Sequence, residues 1–217
     1  MRSPTTTRPA FPVLLVLLLG LAACDTAETG PDPDPDPLTV ERVEDLPADP
    51  ATGRDSLGQA ISLNRFTFFS FADGEVVLAY DDEDRADSSS TAWDVAFRGT
   101  EVIANGGDSG PGEGGVQVVT GAFDEVTEAP ADGYLDAVPG GSGNGWYNYD
   151  PATFTVTPIP GRTLVVRTAD GRYAKLRILS YYEGAPDPID PFTDSERYYT
   201  FEYVYQPDGS RSFVDAE

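Results

Sequence analysis

The stretch that most limits what this chain can become is Arg162 to Tyr182, RTLVVRTADGRYAKLRILSYY. Two extended runs, Thr163–Thr168 and Arg172–Tyr182, flank Asp170-Gly171, a dipeptide whose tolerance of positive φ suits a tight hairpin. Beyond the turn, Ala174, Leu176 and Ile178 alternate with Tyr173, Lys175, Arg177 and Tyr181, which predicts a strand with one buried face. A later run, Tyr198 to Tyr205, extends the sheet and puts Tyr199, Phe201, Tyr203 and Tyr205 on one side. No helical period of any length runs through the chain. The expectation is an all-β domain of antiparallel sheets joined by hairpins.

The preceding residues repeat that grammar. Leu63–Phe71 and Glu75–Tyr80 read as strands joined across Ala72-Asp73-Gly74. Next, Trp93, Val95 and Phe97 are expected inward, against Asp94 and Arg98 outward, and Glu101–Ala104 and Val116–Thr120 follow as short strands. Leu38–Leu57, broken by Pro47 and Pro50, reads as irregular chain or a poor edge strand. Between strands, Asn105 to Gly115 holds six glycines in eleven residues. It lacks the Lys-Ser/Thr of a phosphate-binding loop, and Asp108 and Glu113 would repel phosphate, so it reads as a tight connection.

The first residues have another purpose. Arg2 and Arg8 precede an apolar run, Phe11–Leu19, too short to span a bilayer comfortably, and Leu21-Ala22-Ala23-Cys24 resembles a bacterial lipobox. Residues 1–23 are therefore expected to be a lipoprotein leader, with Cys24 acylated after cleavage. More than one acyl chain makes a stable membrane anchor. Residues 24–37 are expected to be a tether: Pro31 to Pro37 alternates proline with aspartate, and seven such residues in polyproline II reach roughly 20 Å. Residues 38–217 are left as one domain, outside the cytoplasm in the cell envelope, at the outer membrane or cell surface.

Charge and missing residue types narrow the function. The net charge is −23 and Lys175 is the only lysine, so no basic stripe exists to meet nucleic acid or anionic headgroups. The chain has no histidine, which removes Ser–His and Cys–His catalysis and the usual imidazole ligands of zinc and haem. Paired carboxylates stay open as a hydrolytic device, though so acidic a chain supplies such pairs without catalysis. The expectation is a non-enzyme. Asp81-Asp82-Glu83-Asp84 and the proline-spaced Asp187, Asp190 and Asp194 offer oxygen ligands, but without the glycine and terminal glutamate of a calcium loop. The aromatics remain: Tyr134, Trp146, Tyr147 and Tyr149 lie in the glycine-rich segment Gly133–Asp150. They are the candidate ligand-binding residues, able to wrap a flat apolar molecule or simply to enter the core.

Several blocks taken together resemble the HmuY-like lipoproteins. They are Trp93–Phe97, Ile103–Gly115, Gly145–Pro151, Arg167–Tyr182 and Tyr199–Tyr205, in the family's order and spread over Ala60–Gln206. The resemblance implies an all-β domain held outside the cytoplasm by lipid, and haem capture for a partner outer-membrane transporter. It carries over no iron ligand. The family holds haem through histidine or methionine, whereas here histidine is absent and Met1 leaves with the leader. Tyrosinate is an axial alternative for which Tyr134, Tyr147 and Tyr149 are the candidates. A structural or adhesive surface lipoprotein is the contrasting expectation.

Overall fold

Arg162–Arg167 and Tyr173–Tyr182 do pair antiparallel across Asp170-Gly171, with Leu164 opposite Leu176 and Val166 opposite Ala174. Gly171 takes φ +82°, and the Asp170 carboxylate accepts from Thr168 Oγ1 and Arg172 Nη1, both at 2.6 Å. A computed structural model describes this hairpin within residues 38–57 and 60–214; the leader, Cys24 and the tether lie outside the described residues. In chain order the strands are β1 (Glu41–Pro47), β2 (Gly53–Arg54), β3 (Ala60–Ile61), β4 (Thr67–Ser70), β5 (Glu75–Leu78), β6 (Val95–Arg98) and β7 (Glu101–Ala104). They continue as β8 (Gly115–Thr120), β9 (Tyr147–Asp150), β10 (Thr155–Pro158), β11 (Arg162–Arg167), β12 (Tyr173–Tyr182) and β13 (Glu196–Gln206). Only two short 3-10 turns, Ala86–Ser89 and Phe123–Glu125, interrupt the β-structure among the described residues.

One sheet runs β1-β13-β12-β11-β8, a second runs β5-β4-β6-β7, and every pairing is antiparallel. Residues 135–138 stitch the two together. Leu135 exchanges both backbone hydrogen bonds with Val116 of β8 (2.7 and 3.0 Å). One residue on, Ala104 N donates to Asp136 O and Val138 N to Val102 O, both at 2.9 Å, so the same segment also completes the β7 edge. Two ribbons, β9-β10 and β2-β3, stand apart from these sheets.

Between the sheets lies a core made largely of rings. Phe69 from β4 and Phe97 from β6 meet Tyr199, Phe201 and Tyr203 of β13; Phe97 stacks on Phe201 at 5.5 Å and Phe69 meets Phe201 edge-on at 5.5 Å. Such pairs contribute about 0.5–1.5 kcal/mol each beyond the area they bury. The Gly99-Thr100 turn between β6 and β7 is held by three donors: Gly99 O accepts from Tyr199 Oη, Thr100 O from Trp146 Nε1, and Gly99 N donates to Ala48 O.

Strict alternation fails at three places. Trp93 precedes β6 and packs on the outer face of its sheet, edge-on to Phe68 at 4.7 Å, rather than inward with Val95 and Phe97. Asp94 is buried, not outward; its carboxylate accepts from Phe71 N (2.8 Å) and Ala169 N (3.0 Å) and so ties β4 to the β11–β12 turn. Burial pushes its pKa above the usual carboxylate range, against the pull of those two N–H groups. In β12, register shifts at Ile178–Tyr182 return Tyr181 to the core face, where it meets Tyr199 edge-on at 5.6 Å.

Nor does the central strand have one wet face. Lys175 is buried, its Nζ donating to the carbonyls of Phe123 (2.8 Å) and Val126 (2.9 Å) above the Phe123 and Phe213 rings. A second apolar cluster, Phe123, Val126, Ala129, Val165, Val204 and Phe213, covers that side of the sheet. The glycine loop is a tight connection as expected. Asn105 is fully buried at its centre, donating to Ser90 O and Trp93 O and accepting from Gly112 N. A side chain at Gly112 would meet the Asn105 carbonyl and the Ala169 backbone at 2.6–2.9 Å.

Replacing Asp94 by Ala strands two buried backbone donors, each costing about 1–3 kcal/mol. Urea unfolding of Asp94→Ala should show a loss of about 2–4 kcal/mol with an unchanged m-value. A loss below about 1 kcal/mol would contradict this account of the joint.

Candidate functional site

Four sequence candidates are sent to three different places. Tyr134 lies on the outer cluster, its ring 6.3 Å from Tyr173 and under the Arg167 guanidinium, its hydroxyl donating to Pro130 O. Trp146 is sealed in the core, with Tyr147 and Tyr199 rings at 5.0 and 5.2 Å. Tyr147 and Tyr149 alone reach a surface cleft, from the start of the β9–β10 ribbon. Nor is the glycine segment a free flap. Arg162 donates to the carbonyls of Gly143, Asn144 and Gly145, and Ser142 Oγ accepts from Tyr149 N at 2.8 Å.

The main cleft has a volume of about 750 Å³. Its walls are residues 50–54, the β9–β10 ribbon with its turn, and residues 191–198. A smaller one, about 410 Å³, adjoins it and shares Tyr149 and Glu196. The floor is Tyr182, whose hydroxyl oxygen accepts from Val156 N at 3.0 Å and so pins β10 onto the main sheet. Above it, three rings stand in water: Phe192 is 84% exposed, Phe154 60% and Tyr149 44%. Every other ring among the described residues is buried or half-buried, so three left out around one concavity call for an explanation.

Local structure puts them there. Phe192 sits at the crest of a self-closed loop: Asp190 Oδ1 accepts from Phe192 N (3.0 Å), and Asp194 Oδ2 accepts from Asp190 N (2.7 Å). Phe154 ends the ribbon's turn at φ +58°, a left-handed backbone costing a bulky residue roughly 1–2 kcal/mol. Burial does not repay that cost. Backbone strain held by an exposed ring at a cleft is the pattern of a functional position. Sequence reading missed Phe154, Tyr182, Phe192 and Tyr198. The available signal was Phe192 itself, an aromatic alone in the acidic, proline-spaced run Asp187–Asp194.

Those acids make turns. Beside the Asp190 and Asp194 bonds, Asp82 Oδ2 accepts from Ala79 N and Asp84 Oδ1 from Ala86 N. Among the described residues no three His, Cys, Asp or Glu side chains are grouped to hold a metal ion.

Residues 62–161 match the family model described as HmuY protein. Over that stretch, somewhat under half of its 217 residues, the chain is HmuY-like. The match runs from before β4 to the end of the β9–β10 ribbon, so it contains Tyr149 and Phe154 but not Phe192. Solved structures similar to the HmuY-like chain include a candidate HmuY-like haem-binding protein from Bacteroides vulgatus, at 18% identity, TM-score 0.46, and coverage of 76% of this chain and 91% of that one. An apo HmuY analogue from Tannerella forsythia gives 14%, 0.40, 81% and 100%. A candidate lipoprotein from Bacteroides fragilis gives 17%, 0.43, 77% and 90%. No curated protein matches the chain.

The cleft of this HmuY-like protein suits the plane of a macrocycle better than an iron at its centre. The described residues that line it offer phenol, hydroxyl and carboxylate oxygens and no imidazole or thioether. Burial holds the Tyr182 and Tyr198 hydroxyls protonated above the usual phenol range, with Glu183 and Asp45 adding to the effect at Tyr198. A phenol kept protonated is a poor axial ligand.

Because Phe154 is strained and unburied, Phe154→Gly should melt at the parent temperature or above it. Phe97→Ala in the core should cost about 3–5 kcal/mol. Thermal unfolding of both variants checks this; a clear loss of stability in Phe154→Gly would show that its ring supports the fold.

Proposed function

We propose that this HmuY-like chain is a lipid-anchored, extracytoplasmic binding protein that captures a flat, apolar-faced molecule in the cleft beneath Phe192, Phe154 and Tyr149. The observation that carries the reading is the ring trio itself, exposed around a concavity of about 750 Å³, one member on left-handed backbone. A pocket of this size is in the range that holds a small-molecule ligand. The family relationship and the neighbour described as haem-binding support a ligand of haem type. Stacking by rings, without iron ligation, would hold the macrocycle. Binding rather than catalysis is also what a chain without histidine supports, since no Ser–His or Cys–His pair can form.

Capture at a surface needs tethering, and Cys24 with the Pro/Asp run supplies it in this reading. No helix among the described residues is long and apolar enough to cross a membrane. A handover partner, such as an outer-membrane transporter, belongs to the proposal. The second reading, a structural or adhesive surface lipoprotein, draws on the sealed Trp146 and on the aromatic core packed between the sheets.

Two measurements test the proposal. Haemin titrated into the purified protein should quench its tyrosine and tryptophan fluorescence saturably, without the low-spin spectrum of two nitrogen axial ligands. The Tyr149→Ala/Phe192→Ala variant should bind at least tenfold more weakly; undiminished binding would move the site elsewhere. Separately, Cys24→Ala should shift the protein from the membrane fraction to the soluble one. A variant still sedimenting with membranes would overturn the anchor.

A further inference from the structure

The cleft's walls are as one-sided in charge as they are aromatic. Residues 183–198, which form the loop side, carry Glu183, Asp187, Asp190, Asp194 and Glu196 against one guanidinium, Arg197. The ribbon side, residues 147–158, adds Asp150 and no cation. Asp194 and Glu196 line the cleft itself, facing one guanidinium, Arg54, on the third wall. Arg197 lines only the adjoining cleft, where its Nε stands 4.0 Å from Glu196 Oε1 and its Nη1 donates to Asp49 O at 3.0 Å. At physiological salt the screening length is about 8 Å, so these nearby groups, not the distant remainder of the −23 charge, set what the cleft attracts.

We infer that the cleft selects a planar aromatic ligand that carries positive charge over one that carries carboxylates. The inference rests on the cleft being a ligand site. Ring faces present the negative side of their quadrupole, so Tyr149, Phe154 and Phe192 favour a delocalised cation stacked among them. Carboxylates at the rim then favour the same charge at longer range. A porphyrin with two carboxylate arms meets the opposite situation, because the lining sets one arginine, Arg54, against two acids, of which Glu196 alone has a guanidinium, Arg197, beside it. This cleft therefore favours the flat ring shared with haem and disfavours the anionic substituents haem carries.

The test uses two dyes with the same tricycle and opposite charge, proflavine (cation) and acridine-9-carboxylate (anion). Each is titrated fluorimetrically into the full chain at 150 mM salt. Proflavine should bind at least tenfold tighter. The gap should fall to within about threefold in Asp194→Asn/Glu196→Gln, since removing two nearby charges removes most of the local field. Tyr149→Ala/Phe192→Ala should lose both dyes. Equal affinities, or tighter binding of the anion, would overturn the charge selection and leave the cleft standing as a site. A cation preference that survives both double variants would be general attraction to an acidic surface and would overturn the assignment to this cleft. Failure of both dyes to bind would overturn the inference and the binding-site reading together.

Discussion

Everything in this domain depends on closing two sheets around a core without leaving backbone groups stranded. Asp94 and Asn105, two positions that pair across β6 and β7, carry much of that task. Asp94 satisfies N–H groups from the β4–β5 turn and the β11–β12 turn, one from each sheet. Asn105 does the same for the long loop to β8, and the glycines pressed against it are there because no side chain fits. A buried carboxylate is expensive, yet here its acceptors join two elements with no strand pairing between them. The rings of the core pack against a frame that these polar contacts have already closed.

The strands were legible because period-2 alternation and Asp-Gly turns report local geometry directly. The β11–β12 hairpin, the β4–β5 hairpin and the aromatic face of β13 all fall where the residues place them. What alternation could not report was a second apolar layer. Lys175 looks outward because lysine usually is, and only the distant Phe123–Val126 carbonyls and Phe213 turn its position into an interior. Tyr181 was misplaced for a different reason: bulges change the phase, and nothing in Leu179-Ser180-Tyr181 announces them.

The cleft was less legible than the fold. Glycine next to aromatics suggested a wrapping loop, but Arg162 fixes that segment by three carbonyls and Trp146 uses its indole N–H to hold a turn. Of the four candidates only Tyr149 lines the main cleft, with Tyr147 in the smaller one beside it. Its other walls come from residues far away in sequence, and ring exposure is a tertiary property that no window of sequence contains. The loop around Phe192 shows the limit well. Its acids and prolines suggest cation binding or a solvated loop, whereas in the structure Asp190 and Asp194 cap the loop's own backbone and a phenylalanine is lifted into water.

Lys175 has one further consequence. As the sole lysine, it is the only side-chain amine the protein owns, and both its hydrogen and ring contacts are spent inside the outer layer. Among the described residues the side-chain positive charge at the surface is therefore guanidinium, and amine-directed reagents find no side-chain target there. Modification at Lys175 would report the lifting of the Phe123–Val126 segment from the sheet. The chain carries, without any engineering, a single chemical reporter for the opening of that layer.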